Sequence, residues 1–145
     1  MAGTAEPRDA REGVPDLPGS YVRFVELFND AQFWESHEVL ETPWRENLSP
    51  FYKGLIIYAS AFVHAQRAKS CGIVKQLVKA EHYLEAYAPH YMGLDVTRLL
   101  GHLRHCLAVA RALGAHPSPA AGPLVPFDRL SLRPEWIRGN ESELA

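Results

Sequence analysis

Cysteine is close to missing: Cys71 and Cys106 are the two thiols in 145 residues. That density excludes a disulfide scaffold, and their separation fits no zinc-ligand pattern, so both are expected to be reduced and partly buried. A surplus of positive charge is also lacking. With a formal net charge of -2 and Lys and Arg scattered along the chain, no stripe exists to track a phosphate backbone, and nucleic acid is not an expected partner. Long hydrophobic runs are absent too. The longest, Gly54 to Val63, falls short of the ~20 residues a spanning helix needs, so no membrane partner is expected. Residues 1–20 carry no apolar signal-peptide core, which points to a cytoplasmic protein. Strand-like alternation is missing as well, so nothing in the pattern argues for a β fold.

What remains is an ordinary water-soluble composition, 47% hydrophobic and 22% charged, of a length that suits one domain. Its 11 prolines are unevenly placed: three precede residue 20, five follow residue 114, and Pro43, Pro50 and Pro89 interrupt the middle. The expected organisation is a flexible leader over 1–19, a helical domain over 20–114 and a Pro-rich C-terminal arm over 115–145. Leu124, Val125, Phe127, Leu130, Leu132 and Trp136 are too apolar for a plain linker. The arm is therefore expected to lie on the helical body or on a second subunit, and a homo-oligomer could form through it or through exposed helix faces.

Five helices are predicted from 3.6-residue periodicity. The first covers Ser20 to Phe28, with Tyr21, Phe24, Val25 and Phe28 on one side. The second follows Asn29 or Asp30 as its cap. Ser49-Pro50 opens the third, which runs to about Lys69, is apolar nearly all round, and belongs at the centre of a bundle. The fourth, Gly72 to Tyr87, aligns Ile73, Leu77, Ala80 and Leu84. The fifth starts from Asp95 as cap, stacks Val96, Leu99, Leu103, Cys106, Ala110 and Leu113, and stops at Gly114. The expected fold is all-α: a single domain of about five helices in an irregular antiparallel bundle around the apolar third helix.

The chemistry-bearing stretch is FWESHEVLETPW, Phe33 to Trp44. Projected at about 100° per residue, Phe33, Trp34, Leu40, Glu41 and Trp44 fall on the side of His37. His37 and Glu41 are i, i+4 partners within an apolar face, where a carboxylate needs something to face it. Glu38 projects to the border of that face. Pro43 is expected to kink or end the helix. On the third helix, His64 and Ser60 place polar groups in an apolar run, from which they could meet the His37–Glu41 pair. His102 and His105 are i, i+3 on the fifth helix, a spacing open to metal, but they lie at the edge of its apolar face and on its polar side and read as solvated; His82, His90 and His116 have no partner by spacing.

The pattern His37-x-x-x-Glu41-x-x-Trp44, with Phe33-Trp34-Glu35 before it and Gly54-Leu55-Ile56 and His64 after it, resembles the family catalogued as domain of unknown function 309. That resemblance spans roughly Asn29 to Gly114. It implies a small all-helical domain whose His and Glu motif is suggested to bind metal, with no established reaction.

The expected function is that of a cytosolic helical protein with a divalent-metal or small-ligand site at His37, Glu41, His64 and Glu38, walled by Trp34, Trp44 and Ser60. Zinc, iron or manganese would suit a mixed His and Glu donor set. Two alternatives stand beside it. One is a non-catalytic protein-interaction module in which the His–Glu pair is structural, and the other is a metal-dependent hydrolase.

Overall fold

A computed structural model describes residues 17–67, 70–113 and 127–137, with backbone alone at Ser70, Cys71 and Leu113. The leader up to residue 16, the Cys71 side chain, Gly114, His116, Leu124 and Val125 lie outside the described residues. Five helices form the body: α1 (Gly19–Asn29), α2 (Phe33–Asn47), α3 (Pro50–Gln66), α4 (Ser70–Leu84) and α5 (Val96–Leu113). Each packs chiefly on its neighbour in the chain, and α3 has extensive contacts with both α2 and α4.

The central helix is α3, with 12 of its 17 residues buried. Ser49 caps it by accepting from the Tyr52 backbone N–H at 3.2 Å, and Pro50 fills the first turn, where no amide hydrogen is needed. Gly54 is where α4 comes closest. A Cβ there would sit 2.7 Å from the Leu84 side chain and 3.0 Å from Cβ of Tyr83. Leu84 and its helix mates Ile73, Leu77 and Ala80 are wholly buried, as the periodicity of α4 predicts.

An aromatic cluster fills the space between α1, α2 and α3. Phe28 is its hub, stacked on Tyr58 at 5.5 Å and edge-on to Phe33, Phe62 and Phe127. Phe127 belongs to the C-terminal arm, so the described part of the arm spends its apolar groups on the helices of its own chain. Asn29 anchors it by a reciprocal pair: Nδ2 donates to the Leu130 carbonyl at 2.8 Å, and Oδ1 accepts from the Leu130 N–H at 2.7 Å.

The structure departs from the sequence-based expectation in three places. Gln32, not Asn29 or Asp30, precedes α2, and it makes no side-chain cap. Nor does α2 stop at Pro43; it continues to Asn47 and closes on Leu48 in the left-handed conformation, whose N–H reaches the Trp44 carbonyl at 2.7 Å. Finally, a two-residue hairpin pairs His90–Tyr91 (β1) with Leu94–Asp95 (β2). Its turn residues Met92 and Gly93 both have positive φ, the signature of a tight hairpin turn. Met92 is buried, and its carbonyl accepts from the Tyr21 hydroxyl at 2.9 Å.

Candidate functional site

The motif helix α2 buries Phe33, Ser36 and Leu40 completely or nearly so. This stripe is rotated from the one centred on His37, and the reason is Trp34. That ring is 44% exposed, lies flat against His37 at 5.3 Å, and has the Arg67 guanidinium over it, 5.4 Å from its centroid. Counting Trp34 as core drags the projected centre toward His37. The fully buried Ser36, whose hydroxyl donates to the Phe33 carbonyl at 2.8 Å, is the residue that the projection misses.

His37 and Glu41 therefore occupy the shoulder of the buried stripe. Nε2 of His37 stands 3.8 Å from Glu41, and Arg45 approaches the same carboxylate at 3.6 Å, one turn further on. Nδ1 of His37 is enclosed and has no hydrogen-bond partner among the described residues. A proton on Nδ1 would be an orphaned donor, so the arrangement favours the tautomer with its proton on Nε2, toward Glu41.

The pair opens onto a cleft of about 680 Å³ between α2, α3 and α4. Ser60 lines it, together with Lys53, Ile56 and Ile57 of α3. The α4 wall consists of Gln76, Val78, Lys79, His82 and Tyr83, none of which the motif reading includes. Lys53 is held with its ammonium 4.3 Å above the Trp44 ring. Trp34, Glu38, Trp44 and His64 are not among the lining residues. Glu38 is exposed, and the His64 ring packs on Gly72, where a Cβ would come within 2.7 Å of Nδ1. The signal that could have found the α4 wall is the i, i+3 series Gln76, Lys79, His82 beside a glycine-mediated helix contact.

Metal donors are sparse at this site. Among the described residues, no group of three or more His, Cys, Asp or Glu side chains is placed to hold an ion. Metal-bound histidines usually donate their second N–H to an acceptor, and Nδ1 of His37 has none among the described residues. Lys53 of α3 and Lys79 of α4 add positive charge to the cleft. His37 and Glu41 are thus the motif's two metal-type donors to the cleft, whose lining also holds Lys53 and Lys79.

The family model described as Domain of unknown function (DUF309) matches residues 21–76. Over that segment the chain is similar to DUF309. The matched segment runs from Tyr21 of α1 through the motif helix and all of α3 into α4, and so contains His37, Glu41, Lys53, Ser60 and Gln76. The outer half of the α4 wall, from Val78 to Tyr83, lies beyond the DUF309 match. No curated protein matches the chain. Among the described residues, no helix is long and apolar enough to cross a membrane.

Proposed function

We propose that the protein binds a small anion with an apolar part in the cleft between α2, α3 and α4. The observation that carries this reading is the charge of the lining: Lys53, Lys79 and two imidazoles stand against one carboxylate, Glu41, itself flanked by His37 and Arg45. Ammonium groups favour a carboxylate or phosphate, Ile56, Ile57 and Tyr83 favour a hydrocarbon portion, and Ser60 and Gln76 can fix its orientation. The DUF309 match supplies no activity, and no reaction is assigned. A divalent-metal form of the site rests on His37 and Glu41 alone, at a 3.8 Å spacing that one ion could bridge, with water or ligand atoms as the other donors.

Hexanoate and hexyl phosphate, titrated into isotopically labelled protein and followed by amide shifts, test this reading. Saturable changes at residues 37–41 and 76–83 are expected. Lys79→Glu should weaken them about tenfold or more, roughly 1.4 kcal/mol, with the spectrum otherwise unchanged. Separate titrations with zinc and manganese test the metal form: tight uptake abolished by His37→Ala would give it precedence. No saturable shift from any probe would remove the ligand reading. The exposed Trp34, Leu48 and Val78 would then become the contacts to examine for a partner protein.

A further inference from the structure

A second concavity, of about 380 Å³, shares no lining residue with the motif cleft. It lies where Tyr58 of α3, Arg98 near the start of α5, and Asp128, Arg129, Arg133 and Trp136 of the arm converge. The Tyr58 ring is fully packed, stacked on Phe28 and edge-on to Phe62 at 5.2 Å. Its hydroxyl is enclosed and has no hydrogen-bond partner among the described residues. Buried hydroxyls are nearly always paired, and an exception calls for a cause. Burial, then the neighbouring Cys106 and Asp128, holds this phenol well above its ordinary pKa, so it remains an O–H donor.

The neighbouring Asp128 carboxylate does not accept from the Tyr58 hydroxyl. Asp128 receives two bonds from Arg98, from Nε at 2.7 Å and from Nη2 at 3.0 Å. Arg133 is positioned over the Trp136 ring at 5.3 Å, with Glu135 at 3.6 Å as an exposed partner. Arg129 makes no ion pair among the described residues. The lining thus holds Tyr58 with its unused hydroxyl donor and the guanidinium groups of Arg98, Arg129 and Arg133 against the carboxylates of Asp95 and Asp128, around a volume many times the ~30 Å³ share of one water molecule.

We infer that this concavity binds a small oxyanion, a carboxylate or a phosphate, which accepts from the Tyr58 hydroxyl and is neutralised by Arg129 and Arg133. The site joins the core to the arm, so its occupant would bear on both.

Calorimetric titration of the full chain with inorganic phosphate and, separately, with succinate distinguishes the two sources of that chemistry. At least one anion should bind saturably. Tyr58→Phe and Arg129→Ala should each weaken it about tenfold or more, while Lys79→Glu, in the other cleft, leaves it unchanged. Tyr58→Phe should melt no lower than the parent, which separates lost binding from lost fold. No saturable binding of either anion would overturn the inference. So would equal binding by Tyr58→Phe, or binding removed by Lys79→Glu and kept by Tyr58→Phe, which would assign the anion to the motif cleft.

Discussion

Glu41 keeps 31% of its side chain in water, with Arg45 at 3.6 Å and His37 at 3.8 Å, so it is not a stranded carboxylate. Removal of a buried partner costs about 3 to 5 kcal/mol, whereas an exposed helical pair contributes less than about 1. His37→Ala should therefore lower stability by less than about 1 kcal/mol in urea unfolding. A loss of several would return the pair to the core. Phe28 is the opposite case: fully buried and touching rings from α2, α3 and the arm. Phe28→Ala should cost about 3 to 5 kcal/mol, read in the same experiment. Tyr58 differs from both, because its phenol oxygen is enclosed without a partner among the described residues. Its replacement by Phe should leave stability unchanged or raise it by up to about 1 to 3 kcal/mol, the cost of burying an unmet polar group.

Between elements, the α3–α4 seam depends on one missing side chain. The Cβ of Gly54→Ala would press on Leu84 and on the Tyr83 Cβ at 3.0 Å or less, and overpacking of this kind costs roughly 1 to 3 kcal/mol. Ala is the better helix former, so a variant more stable than the parent would show that the seam can open without cost. Much of this level is legible in the sequence. The all-round apolar α3 announces itself by its nearly unbroken apolar run, and α5 by the stripe from Val96 to Ala110, where burial repeats with the helical period. The hairpin at 90–95 does not, since two-residue strands are too short to show any period. The wall of the motif cleft is half legible: His37, Glu41 and Ser60 stand out as polar groups in apolar surroundings. Lys79 and His82 look like ordinary surface residues on the wheel of α4, and only the packing of α4 against α3 turns them toward the same space.

At the scale of the whole molecule, the arm is held partly by a charge. The Arg98 guanidinium holds the Asp128 carboxyl below the usual carboxylate range. A carboxyl with a lowered folded-state pKa contributes stability above the ordinary range, and that contribution is lost as pH falls through the lowered value. Arm docking should thus weaken on acidification. Pepsin, which works in acid, should cut near Phe127 and Leu130 increasingly as pH falls across that window, and Asp128→Asn should make the cleavage less dependent on pH. Docking that is equally pH-dependent in both proteins would remove the Arg98–Asp128 pair as its cause. The helices meet their neighbours in the chain, but Asn29 and Leu130 are 101 positions apart. Contacts between near neighbours form early, and distant ones wait for the closure of a long loop. The order of assembly follows: the helical body can form first, and the aromatic core is completed only when Phe127 arrives, so the last segment to settle is also the one that seals the centre.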